Sequence, residues 1–197
     1  MIELGPFPRH PLLVRVTHWL TAVSVGALVV SGIAILLAHP RLYWGEVGVV
    51  GMPSLLDLPL PFVLTGQTGW GRSLHFLAAW TIVLTGIVYV IGGVRRAHFQ
   101  WPLYNTLQRR TYSVVVFVLL PLLIWTGLAM SPAITSVAPF IVRVLGGHQS
   151  ARTIHFFVAA ALATFVVGHV VMVVASGFNA HVGAMITGKL PARKGAA

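Results

Sequence analysis

Four stretches of the sequence stay apolar for about 20 residues, the length a helix needs to cross the hydrocarbon core of a bilayer. They run over about Leu12–Leu37, Ser73–Ile91, Tyr112–Met130 and Arg152–Ala175. Two further apolar stretches read differently. Val47–Leu64 contains Pro53, Pro59, Pro61 and Asp57, which would leave backbone groups unpaired in lipid. Ala133–Gly147 is shorter, holds Pro139 and Arg143, and reads as a helix lying along the interface. The pattern predicts an all-α integral membrane four-helix bundle, one domain over residues 1–197. Residues 38–72 form an external loop rich in Pro, Gly, Trp and Tyr, and a disordered tail covers about 189–197.

Composition supports lipid as the main solvent. Hydrophobic residues make up 57% of the chain and charged residues 8%, whereas a soluble domain carries about 25% charged residues. With no cysteine, the chain has no disulfide, iron–sulfur cluster, thiolate-ligated haem or c-type haem attachment. The first apolar stretch is too long for a cleavable signal peptide, and no small-residue cleavage site follows it.

The formal charge of +10 raises the question of nucleic acid, but the cations lie between the apolar stretches rather than along one face. They read as topology signals, and no nucleic-acid partner is expected. With the N-terminus inside, Arg9, Arg15, Arg95, Arg96, Arg109, Arg110, Lys189, Arg193 and Lys194 gather on the inner side. Arg41, Arg72, Arg143 and Arg152 lie outside, nine against four, which predicts an N-in, C-in orientation. The acidic residues are Glu3, Glu46 and Asp57. None falls inside a span, which weighs against ion-coupled transporters and proton pumps, since these use intramembrane carboxylates.

Nine histidines is a high count for so apolar a chain. His10, His39, His98, His148 and His181 lie in loops or near termini and read as headgroup-level residues. His18, His75, His155 and His169 lie within the spans. His155 and His169 are 14 residues apart, close to four whole turns at about 100° per residue, so both leave one helix face about 21 Å apart in height. His75 enters its span at nearly the depth of His155, and His18 lies at nearly the depth of His169. Depth alone therefore pairs His75 with His155 toward the outside and His18 with His169 toward the inside.

Two histidines facing each other inside a helix bundle suit bis-histidine ligation of haem iron. Hydrogen bonding between helices is the plainer alternative. Zinc fits less well, because each level offers two histidines and no carboxylate or thiolate. Gly32, 14 residues after His18, and Gly86, 11 after His75, would let a flat macrocycle approach, although glycine also serves helix packing alone. Arg15, Arg72 and Arg152 each precede a span histidine by three residues. They could meet haem propionates or simply anchor helix ends.

At these residues the chain resembles the four-helix di-haem cytochrome b subunits found with formate dehydrogenases, nickel–iron hydrogenases and thiosulfate reductases. The segments HPLLVRVTHWLTAVSVGALVVSGIAI, WGRSLHFLAAW and ARTIHFFVAAALATFVVGHVVMV carry the likeness, which spans residues 10–175. The resemblance implies two haem b groups, with His75 and His155 holding the outer one and His18 and His169 the inner one. Tyr104-Asn105-Thr106-Leu107-Gln108-Arg109 is similar to a YNxxQK stretch of the formate dehydrogenase subunit. That likeness implies a quinone contact at Asn105, with Tyr104 and Gln108 beside it; the same residues also read as a loop turn.

The expected function is electron transfer between the quinone pool and a periplasmic redox partner of the molybdopterin type. Tyr43, Trp44 and Trp70 could form the contact surface or an aromatic belt at the headgroups. Similar stand-alone four-helix cytochromes oxidise superoxide and reduce quinone, an alternative that the long 38–71 loop disfavours.

Overall fold

The computed structural model describes residues 11–58, 68–95 and 106–188. Four helices in it are long and apolar enough to cross a membrane: Leu12–Ala38, Gly69–Gly93, Arg110–Ala129 and His148–Ala175. They belong to helices α1 (Leu12–Ala38), α2 (Thr68–Arg95), α3 (Thr106–Val114), α4 (Leu120–Ala129) and α7 (His148–Ala175). A π-helical stretch over Val115–Leu119 joins α3 to α4 into one span.

The helices extend beyond the apolar stretches by a turn at the start of α2 and of α7. Thr68-Gly-Trp-Gly-Arg72 and His148-Gln-Ser-Ala151 are too polar to register as span. Yet a helix satisfies its own backbone, so it continues past the hydrocarbon into the headgroup layer. The π stretch sits just before Pro121, at the start of α4. Proline has no N–H to offer Phe117, and the ladder widens there, with Leu120 N–H donating to Val115 O.

The expected interface helix over 133–147 is two short helices, α5 (Pro132–Val137) and α6 (Phe140–Arg143). The break is at Ala138, whose φ of −135° and ψ of 66° are not helical, because the ring of Pro139 disfavours the α conformation in the residue before it. A last helix, α8 (Phe178–Thr187), follows α7 after the left-handed turn at Gly177. The indole of Trp19 donates to Met185 O at 3.2 Å, tying α8 to α1.

Within the external loop, β1 (Arg41–Leu42) pairs antiparallel with β2 (Leu56–Asp57), Arg41 opposite Asp57. Arg41 Nε donates to Asp57 Oδ2 at 2.9 Å, which holds the Arg41 guanidinium above its ordinary pKa. Both side chains are exposed, so the pair adds little stability.

Packing follows two helix pairs, α1 on α2 and α4 on α7. Most buried positions on the spans are small or hydroxylated: Ser24, Ser31 and Ala34 on α1, Ala78 and Thr85 on α2, Thr126 and Ala129 on α4, Ala151 and Thr153 on α7, with Ile82 of α2 and Val115 as larger exceptions. Large apolar side chains such as Val23, Leu77, Leu84, Phe117, Val167 and Val171 face outward. In water this would be inverted. In lipid it is the expected arrangement, because small residues let helices approach while aliphatic ones meet acyl chains.

Candidate functional site

At the end of the bundle where the loop lies, segment 39–46 is bound to the start of α7. Gly45 O accepts from Gln149 N at 3.0 Å and Ser150 N at 3.2 Å, and Gly45 N donates to Ser150 Oγ at 2.8 Å. These contacts satisfy N–H groups of the first turn that lack an intrahelical partner. Thr153 Oγ1 donates to Tyr43 O at 2.6 Å, Arg152 Nη1 to Arg41 O at 3.2 Å, and Arg152 Nη2 to His39 O. Arg152, expected near a propionate, thus anchors the loop with two nitrogens. Tyr43, expected on a contact surface, is instead buried, with its hydroxyl on Val49 O. Trp44 and Trp70 are exposed. Beside this clamp, burial holds the His39 imidazole below its ordinary pKa, and the nearby Arg152 and Arg72 lower it further.

The four span histidines meet in two pairs. His75 of α2 and His155 of α7 have ring centroids 6.2 Å apart at 58°, and His18 of α1 and His169 of α7 lie 6.5 Å apart at 56°. These are the pairs that depth along the spans predicts. The first is near the loop end and the second near the end where the chain starts.

The loop-end pair is held by hydroxyls. Ser31 Oγ lies 3.0 Å from His75 Nδ1, and Thr126 Oγ1 lies 2.8 Å from His155 Nδ1. Each hydroxyl also sits 2.7 Å from a carbonyl one turn back, Ala27 O and Leu122 O respectively. Two oxygens approach that closely only with a hydrogen between them, so each hydroxyl proton points at its carbonyl. Toward the imidazole the hydroxyl oxygen therefore accepts, and Nδ1 carries the ring proton. Nε2 of both rings is left with its lone pair, the form that ligates a metal.

Each hydroxyl residue is followed by a glycine against the same ring. A Cβ at Gly32 would lie 3.8 Å from His75 Cε1, and one at Gly127 would lie 3.7 Å from His155 Cε1. Gly32 thus sits where its register predicts. At Gly86 a Cβ would meet nothing within 4 Å. Ser31, Thr126 and Gly127 escape the sequence reading: a hydroxyl followed by glycine inside an apolar span occurs three times, also at Thr85-Gly86, where a Cβ at the glycine would meet no ring, so the pattern alone does not single them out.

Aromatic rings surround the second pair. Phe165 stacks on His169 at 6.1 Å and 22°, Tyr112 meets His169 edge-on at 6.5 Å, and Trp19 lies edge-on to His18 at 5.4 Å. Arg15, one turn before His18, has its Nε buried with no hydrogen-bond partner among the described residues. Tyr104 and Asn105 lie outside the described residues, as does the tail; Gln108 falls in the first turn of α3.

The donor set narrows the chemistry. A metal bonded to one nitrogen of each ring at roughly 2 Å would leave the centroids roughly 6 Å apart, as both pairs have them. The described residues contain no group of three or more His, Cys, Asp or Glu that could hold a metal ion, so these residues by themselves do not supply a tetrahedral zinc donor set. An iron porphyrin brings its own equatorial nitrogens and needs only two axial ligands. The histidine pairs, the glycine-backed rings and the buried Arg15 Nε fit that group.

Comparison with known proteins points the same way. The chain is 30% identical over 196 residues to the putative protein-methionine-sulfoxide reductase subunit YedZ1 of Azospira oryzae, with 83% of this chain and 89% of that protein covered. The sequence profile of prokaryotic cytochrome b561 matches residues 9–188. With nearly the whole chain matched, four membrane-spanning helices and histidines facing each other between them, the protein belongs to the prokaryotic cytochrome b561 family, multi-pass electron-transfer proteins of bacterial membranes that carry haem b.

Proposed function

We propose that this chain is a di-haem cytochrome b that carries electrons between a quinone and a redox partner on the opposite side of the membrane. The observation that carries the proposal is the presence of two histidine pairs at two depths, 6.2 and 6.5 Å between centroids. His75 and His155 hold the haem at the loop end, and His18 and His169 hold the other. Haem iron supplies reversible one-electron transfer without breaking a substrate bond.

The chain's own residues orient and insulate. Ser31 and Thr126 fix the tautomers of the loop-end ligands. Phe165, Tyr112 and Trp19 pack around the second pair. The buried Nε of Arg15 suits a propionate carboxylate, and Arg72 lies close enough to His39 to add to the positive charge at the loop end. Arg152 contributes charge there while its Nη atoms hold the loop.

The quinone is assigned to the end where the chain starts, with Asn105 as its principal contact and Tyr104 and Gln108 beside it. The likeness of residues 104–109 to the formate dehydrogenase subunit supports this. The loop end faces the periplasm, in keeping with the distribution of Lys and Arg. The partner there is an oxidoreductase of the molybdopterin type. The similarity to a subunit named for a reductase supports a docked partner, as does the exposed Trp44, 60% accessible on the clamped loop.

Haem stoichiometry in the purified protein tests this reading. Two haem b per chain are expected, falling to one in His155→Ala and in His75→Ala. A single haem in the wild type, or two retained in either variant, overturns it.

A further inference from the structure

The hydroxyl–glycine pairs Ser31-Gly32 and Thr126-Gly127 repeat one device on two different helices. In each, the residue belongs to the helix packed beside the one that bears the histidine: α1 serves His75 of α2, and α4 serves His155 of α7. In each, the hydroxyl meets Nδ1 and the following glycine meets Cε1 of the same ring. Ser31 and Thr126 are both 0% accessible, so no water competes for the imidazole N–H.

We infer that Ser31 and Thr126 are positioning residues that set the redox potential of the loop-end haem, by accepting hydrogen bonds from the Nδ1–H groups of His75 and His155. This rests on the reading of that pair as haem ligands. An imidazole that donates from Nδ1 becomes a more basic ligand through Nε2. More basic axial ligands stabilise the ferric state over the ferrous and lower the midpoint potential. Two such hydroxyls, one on each side of the iron, act in the same direction.

The device also fixes ring rotation. A ring held at Nδ1 and flanked at Cε1 cannot turn freely about its Cβ–Cγ bond. The 58° angle between the two rings is therefore set by the neighbouring helices rather than by the ligands themselves.

Thr126 allows a clean separation of shape from hydrogen bonding. Thr126→Val keeps the volume and removes the hydroxyl, and Thr126→Ser keeps the hydroxyl and removes a methyl. Potentiometric titration of the purified protein, followed at the haem absorbance, reads one potential per haem. Low-temperature electron paramagnetic resonance of the oxidised protein reads the ring geometry. We expect Thr126→Val and Ser31→Ala to raise the potential of one haem only and to change that haem's resonance, with Thr126→Ser close to wild type. Loss of that haem in Thr126→Val but not in Thr126→Ser supports the same role. An unchanged potential in Thr126→Val with both haems bound overturns the inference, as does a Thr126→Ser variant that behaves like Thr126→Val. His75→Ala, titrated alongside, separates the two ideas: if it keeps both haems, the ligand assignment itself has failed, whatever the threonine variants do.

Discussion

An imidazole offers a metal only one usable nitrogen at a time, and which one depends on where the ring proton is held. In the loop-end pair a serine and a threonine decide this, and a glycine after each keeps the ring face close to the helix. The tolerance of that arrangement can be stated residue by residue. A Cβ at Gly127 would lie 3.7 Å from His155 Cε1, an ordinary van der Waals distance, so alanine fits. A branched side chain does not fit without turning the ring. Gly127→Ala is expected to keep both haems, and Gly127→Leu to lose the loop-end haem while keeping the other, as read by haem per chain in detergent. The same contrast is expected at Gly32, where the distance is 3.8 Å. Among residues read from the sequence, the four histidines and Gly32 lie where their spacing suggests. Ser31 and Thr126 were not legible, because a hydroxyl inside an apolar span reads equally well as helix packing.

Individual elements were legible in their apolar centres and obscure at their ends. The start of α7 shows why. His148-Gln-Ser-Ala-Arg152 is polar, and only the loop laid over it supplies partners for its first N–H groups. Gly147 makes the entry possible: its φ is +114°, and a Cβ there would come within 2.5 Å of Gly45 O. Gly147→Ala therefore combines backbone strain with a clash. It should destabilise the fold by about 1–3 kcal/mol, seen as a lower midpoint in thermal unfolding of the detergent-solubilised protein. Gly69→Ala serves as the control, since its Cβ would meet nothing within 4 Å; it is expected to stay within about 0.5 kcal/mol of wild type. Equal midpoints for the two variants would remove the clamp as a source of stability. The segment 133–147 was legible as helix too short to be a span but not as two helices, since the position of the break depends on how Ala138 resolves its conflict with Pro139.

For the whole molecule, lipid sets the arrangement. Large aliphatic side chains face out, and serine, threonine, alanine and glycine mediate the contacts between spans. The proposed orientation across the membrane rests on charge distribution alone, which predicts the loop end outside and the inner loop inside. The absence of cysteine makes this easy to check with single introduced thiols. Val50→Cys, at a position 84% accessible on the loop, should react with a membrane-impermeant maleimide in intact spheroplasts. Asn179→Cys, on α8, should react only after the membrane is opened. The reverse pattern would invert the topology and move the quinone end to the periplasm.

The number of spans, their approximate extent and the depth of each histidine were determined by the sequence by itself. A bilayer has fixed thickness and admits few polar groups, so position along an apolar stretch translates directly into height in the membrane. Membership of a pair at each level follows from height. What holds each imidazole does not. Ser31 reaches His75 across 44 residues of chain, Thr126 reaches His155 across 29, and Thr153 and Arg152 reach the loop across 110 and 111. Those contacts depend on which helix packs beside which and on how each is rotated about its own axis. A nearly uniform apolar surface leaves that rotation open, and the packing of α1 on α2 and of α4 on α7 decided it.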